Sequence, residues 1–133
     1  MKDSITLSVD TMGSETKIKD ICHGLNLSSE RNINFKYLIY GNEHEIKKYI
    51  SRYKSLTKVS EVIHCDEVVE MNDIPSEAIK NKKKSSMSLA IDSVSKKYSD
   101  AALSFGNTGA LTTFALLMIK TLNDIRRPSI ASI

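Results

Sequence analysis

Ala101-Ala102-Leu103-Ser104-Phe105-Gly106-Asn107-Thr108-Gly109-Ala110-Leu111 is the stretch on which the reading of this chain turns. A short apolar run enters it. Thr112 to Ile119, apolar almost throughout, leaves it. Gly, Asn, Thr and Gly stand together at the junction of a strand and a helix. Two readings fit that spacing. One is a tight turn with Asn107 or Thr108 capping the helix. The other is an anion site, because the first N–H groups of a helix lack intrahelical partners and its dipole favours negative charge there. Glycine lets the backbone come close to such a ligand. Spacing alone leaves both open.

Working outward, the same alternation of strand and helix recurs. Ile5, Leu7 and Val9 lie on one face of a period-two run, with Ser4, Thr6 and Ser8 on the other. Asp10-Thr11-Met12-Gly13-Ser14 breaks it. Ile18, Ile21, Cys22 and Leu25 then predict an amphipathic helix over 15–27. A second strand spans 35–40 and ends at Gly41. Asn42 and Glu45 resemble a capping box before the stripe Ile46, Tyr49, Ile50 and Tyr53. A third strand is expected over 58–65, followed by a polar, acidic connection over 66–74. Pro75 opens a short helix, and Met87, Ala90, Ile91 and Val94 mark another, up to about Tyr98. The fourth strand is 101–105. The helix from Thr108 to about Leu122 is apolar on most sides and is expected to be deeply buried. Pro128 to Ile133 reads as a fifth strand just begun.

This order implies an α/β fold: three layers, α/β/α, with a mainly parallel sheet, Rossmann-like in kind. No linker, repeat or low-complexity segment divides residues 1–133, so a single domain is expected. The final run suggests the N-terminal part of a longer fold.

Composition narrows the function classes. The chain has 133 residues, 41% hydrophobic and 26% charged, ordinary values for a globular domain. A net charge of +3 is too mild to imply nucleic acid. Lys80-Asn81-Lys82-Lys83-Lys84 concentrates that charge without interleaved aromatics, which disfavours base stacking. It reads either as a solvated helix end or as a docking patch for an acidic macromolecule. Cys22 and Cys65 show no metal or redox spacing and are expected to be reduced thiols. No signal-peptide run opens the sequence, and the longest apolar stretch is far short of the roughly 18 residues of a spanning helix. A cytoplasmic chain is expected. His23 and His44 read as solvated. His64 beside Cys65 would point to the opposite face of its strand, so no dyad follows. No metal site and no cofactor are expected, and neither a dinucleotide glycine fingerprint nor a Walker A pattern is present.

In open α/β sheets ligands bind beyond the carboxyl ends of the strands. Four loops lie there: 10–14, Gly41-Asn42, 64–66 and 106–109. Two combine glycine with a polar side chain at a helix start. Asp10 could accept from a helix start or position a substrate, and Gly13 suits a turn around a ligand.

These residues resemble the N-terminal portion of the bacterial phosphate acyltransferases, the acyl-ACP:phosphate transacylases of phospholipid synthesis. Asp10-Thr11-Met12-Gly13, Gly41-Asn42, Pro75, Ala78, Lys80, Lys82 with Ser85-Ser86-Met87, the 104–111 stretch and Arg127-Pro128 carry the resemblance in order. It departs at Lys80, where arginine is usual, and at Ser14-Glu15, where the family's loop reads Gly-Asp. The resemblance implies a fold similar to phosphotransacetylase and isocitrate-dehydrogenase-like proteins, and a homodimer. It implies conversion of acyl-ACP and inorganic phosphate to acyl phosphate and ACP. Asn107 and Thr108 would then be catalytic. Asp10, Gly13, Gly106, Gly109, Lys82, Ser85 and Ser86 would hold phosphate or substrate, and Lys80, Lys83 and Lys84 would dock the acidic acyl carrier protein. Membrane association is not carried by this portion. The competing expectation is a non-catalytic phosphate- or ACP-binding module of the same fold.

Overall fold

In the computed structural model, residues 4–128 are described. The strand expected over 128–133 lies essentially outside them. Four strands, β1 (Ile5–Asp10), β2 (Phe35–Gly41), β3 (Ser60–His64) and β4 (Ala101–Ser104), form one sheet in the order β3-β2-β1-β4. Every pairing is parallel. Five helices connect them, α1 (Ile18–Arg31), α2 (Glu43–Ile50), α3 (Lys54–Val59), α4 (Pro75–Asn81) and α5 (Ser86–Ser95), and α6 (Thr108–Met118) follows β4. The result is a three-layer α/β arrangement of the Rossmann-like kind.

Strand alternation sends β1 and β2 side chains to two different cores. Val9, Tyr37 and Ile39 pack against Ile21, Cys22 and Leu25 of α1, Ile46 and Ile50 of α2 and Leu56 of α3. Burial of each such side chain contributes about 1.5–3 kcal/mol. The opposite face meets α5; β2 and β3 bring Leu38, Tyr40 and Ile63 to it, whereas β1 contributes small residues. Ser8 is fully buried there, its hydroxyl donating to the Ala90 carbonyl at 2.7 Å. Ser99 joins Ser8 to Ser93, with oxygen separations of 3.1 and 3.0 Å. Short hydroxyl side chains let α5 approach the sheet closely while every buried side-chain nitrogen and oxygen among the described residues keeps a partner. The polar face of β1 is therefore an interior face, as a parallel sheet covered on both sides requires.

Three expectations need correction. The third strand begins at Ser60, not Lys58, because 54–59 is helical: Leu56 is buried against the sheet and the Thr57 hydroxyl donates to the Tyr53 and Ile50 carbonyls. Helix α6 ends at Met118 rather than Leu122. Lys120 adopts a left-handed φ of 70° and its amide turns back to the Ala115 carbonyl, a helix-terminating arrangement. Nor is α6 deeply buried: only Ala110 and Phe114 are inside, while Leu117 is 58% exposed. Its apolar composition all round exceeds what the described residues cover.

Candidate functional site

The sheet order fixes where a ligand crevice can open. From β1 the chain winds outward to β2 and β3, then crosses back to place β4 on the other side of β1. Strand order reverses between β1 and β4, and that reversal splays the loops leaving their carboxyl ends. Those loops are 10–14 and 104–109, the two glycine-bearing loops singled out from the sequence.

Asp10 and Ser104 are register partners at the ends of β1 and β4. Asp10 is only 2% exposed. Its Oδ2 accepts from the Ser104 hydroxyl at 2.7 Å, and its Oδ1 accepts from the Ser86 hydroxyl at 2.5 Å and the Met12 amide at 3.2 Å. Burial pushes the carboxyl pKa above its usual range, against the lowering effect of those three donors. Asp10 thus ties β1, β4 and the first residue of α5 together from beneath the crevice. Ser86 meets it there, whereas Ser85 caps α5, accepting from the Ser88 amide at 3.3 Å and donating to the Lys82 carbonyl.

Gly13 has a left-handed φ of 72°, and a β-carbon there would lie 1.9 Å from the Val69 carbonyl oxygen. Glycine is therefore demanded twice, by conformation and by close approach. The same loop abuts the second: the Gly13 carbonyl oxygen is 3.4 Å from where a Gly106 β-carbon would stand.

Asn107 caps α6, its Oδ1 accepting from the Ala110 amide at 3.0 Å. Its Nδ2 is directed at the carbonyls of Glu70, Met71 and Asp73, at 3.2, 3.2 and 2.9 Å. The side chain is 8% exposed as a residue and fully engaged, holding the 70–73 segment beside the helix mouth. The turn of the opening stretch is capped by Asn107, and the cap leaves the Thr108 and Gly109 amides without a partner among the described residues. Thr108 and Gly109 are exposed.

Lys82 extends the same network. Its ammonium pairs with the Asp73 carboxylate, which also accepts from the Glu70 amide at 2.8 Å. The Lys82 hydrogen bond holds the Asp73 carboxyl below its usual pKa range. Lys80, Lys83 and Lys84 point to solvent around the end of α4 and the turn that follows. The structure thus places Gly13, Gly106, Asn107, Thr108 and Gly109 on the two loops that leave the carboxyl ends of β1 and β4, with Asp10 and Ser86 buried beneath them. Lys82 and Ser85 flank this arrangement, and the three other lysines lie on the adjoining surface.

The family model described as "Fatty acid synthesis protein" matches residues 5–133. The chain belongs to the fatty acid synthesis protein family. Relatives in that family are named "Phosphate acyltransferase". The one from Parvibaculum lavamentivorans is 36% identical over all of this chain and 37% of its own length. That from Azorhizobium caulinodans is 37% identical, with 100% and 38% covered. That from Rhodopseudomonas palustris strain HaA2 is 39% identical, with 99% and 38% covered. The chain spans well under half the length of these curated relatives.

Two parts of this candidate site were not singled out from the sequence. Ser104 belongs to the 104–111 stretch of the resemblance but has no role assigned there, and only the β1–β4 register, invisible in a single sequence, places it opposite Asp10. The carbonyls of Glu70, Met71 and Asp73 carry no side-chain signal at all. His64, by contrast, stays outside the crevice: its Nε2 meets Asp66 Oδ1 at 2.9 Å and its Nδ1 accepts from the Glu43 amide at the start of α2. Asn42 caps that helix, accepting from the Glu45 amide at 3.1 Å.

Proposed function

We propose that this chain carries the phosphate-binding portion of an acyl-ACP:phosphate transacylase of phospholipid synthesis. The observation that carries the reading is the start of α6 at the β1–β4 reversal, where the exposed Thr108 and Gly109 amides have no partner among the described residues and the adjoining Gly106 approaches the Gly13 loop. Family membership and the names of the relatives support it.

Phosphate is already a nucleophile, so the reaction asks for no attacking serine or cysteine. One phosphate oxygen attacks the thioester carbonyl carbon, forming a C–O bond. The C–S bond then breaks and the carrier's thiolate leaves, to be protonated by solvent. Two tasks remain for the protein: holding phosphate in line with the carbonyl and stabilising the tetrahedral oxyanion. Amides at a helix start serve both, because donors fixed in place need no reorganisation as charge develops. Thr108 adds a hydroxyl beside them. Asn107 acts by shaping that mouth through its cap and its hold on 70–73, and Asp10 acts from below. Lys82 is linked to the start of α6 through Asp73, whose carboxylate it pairs and whose carbonyl accepts from Asn107.

The exposed Lys80, Lys83 and Lys84 offer positive charge to an acidic acyl carrier protein. A homodimer and a cytoplasmic setting complete the reading. The two buried free thiols, Cys22 and Cys65, suit a reducing compartment, and no helix among the described residues is long and apolar enough to cross a membrane.

Incubating the chain with acyl-ACP and phosphate, then trapping acyl phosphate with hydroxylamine, tests the proposal. Phosphate-dependent acyl hydroxamate is the expected product. Phosphate binding with no hydroxamate would instead leave a binding module.

A further inference from the structure

Ser104 is the junction of a directed hydrogen-bond chain. Its hydroxyl donates to the buried Asp10 Oδ2 at 2.7 Å and, with its proton thus committed, offers a lone pair to the Gly106 amide at 3.1 Å. A serine hydroxyl has one donor and can turn freely unless a partner fixes it. Asp10 is a pure acceptor when ionised, so it fixes that rotor with Oγ as acceptor toward Gly106. Asp10 is itself held by Ser86 and the Met12 amide, which prevents the carboxylate from rotating in turn. The chain therefore runs from the interior of the sheet, through Ser104, to the first glycine of the crevice loop.

We propose that Ser104 is a positioning residue for anion binding, orienting the Gly106 amide and with it the backbone from Asn107 to Gly109. This rests on the phosphate reading above. Ser104 restrains the loop at Gly106, where a glycine would otherwise leave the backbone free. Asn107 secures the far side by its hold on the 70–73 carbonyls. Just beyond these two anchors come the exposed Thr108 and Gly109, whose amides have no partner among the described residues. Outer-shell partners of this kind, which touch no ligand, commonly change affinity by about 10–100-fold when removed.

The test uses the full chain, isotopically labelled, titrated with inorganic phosphate and followed by amide NMR shifts. Wild-type protein should show saturable shifts at Thr108 and Gly109. Ser104→Ala should keep the spectrum of a folded chain, move the Gly106 amide resonance, and weaken phosphate binding at least tenfold. Ser104→Thr, which keeps the hydroxyl, should restore both the Gly106 resonance and the affinity. Asp10→Asn should move the Gly106 resonance while Ser104 is intact and add little when Ser104 is already alanine. Wild-type affinity in Ser104→Ala would overturn the positioning role while leaving the phosphate reading standing. No phosphate response in the wild-type chain would overturn both.

Discussion

Asp10 and Ser104 end neighbouring strands in register, and the serine hydroxyl donates to a carboxylate that is almost wholly buried. The pair stands directly beneath the loops where the strand order reverses. A charge placed there is desolvated, and burial raises its pKa above the ordinary 3.8.

That shift has a sign. A carboxyl whose native pKa lies above its unfolded value binds its proton more tightly when folded. The stabilisation from that proton is complete below about 3.8 and is lost as pH rises through the native value. Asp10→Asn carries no titrating group at this site. The stability of wild type minus that of Asp10→Asn, from urea unfolding, should therefore fall as pH is raised above 3.8 and then level off, with a slope no steeper than about 1.4 kcal/mol per pH unit. A difference that grows with pH would mean that the hydrogen bonds from Ser86, Ser104 and Met12 outweigh burial.

Gly13→Ala should be among the more damaging single changes in the chain. The new methyl would meet the Val69 carbonyl at 1.9 Å on a left-handed backbone. Overpacking against backbone and strain at positive φ together predict a loss of about 3 kcal/mol in urea unfolding. Gly24, where a β-carbon meets nothing within 4 Å, supplies the control: Gly24→Ala inside α1 should stabilise slightly.

Asn107 has two separable jobs. Asn107→Ala removes the cap of α6 and the donor to 70–73, and should cost about 2 kcal/mol. Asn107→Asp keeps an oxygen for the Ala110 amide but cannot donate to three carbonyls. Hydrogen exchange should show the Ala110 amide protected in the aspartate variant and exposed in the alanine variant, with the 70–73 segment loosened in both. Equal protection of 70–73 in wild type and Asn107→Asp would contradict the latch.

Most of this architecture was legible before any coordinates. Alternation in β1, the Asn42–Glu45 cap and the Ile18–Leu25 stripe each follow from local physics, and all three form as their spacing predicts. What local patterning could not carry was register and shared burial. Ser8, on the polar face of β1, is interior because α5 covers it. Lys58 and Val59, the end of the Lys54–Val59 helix, read as the start of a strand because Val59 lies close to Val62 and Ile63, while the burial of Leu56 that favours a helix depends on the sheet beneath. The crevice loops were legible as glycine-bearing strand ends. Ser104 was not, since its importance arises only from facing Asp10.

The lysine cluster divides in the same way. Lys82 is committed to Asp73, whereas Lys80, Lys83 and Lys84 are exposed. Changing those three to Gln should leave unfolding within about 0.5 kcal/mol of wild type. Affinity for acyl-ACP should fall and its dependence on salt should flatten. An unchanged salt slope would remove this surface as the docking patch.

The central claim is that an anion sits at the mouth of α6. Titrating the labelled chain with inorganic phosphate while following its backbone amides tests that most directly. Saturable shifts concentrated at Gly106, Thr108, Gly109 and Gly13, abolished by Thr108→Pro (which removes one of the two unpartnered amides), are the predicted result. Shifts confined to the lysines of 80–84, or spread without saturation over the surface, would contradict it.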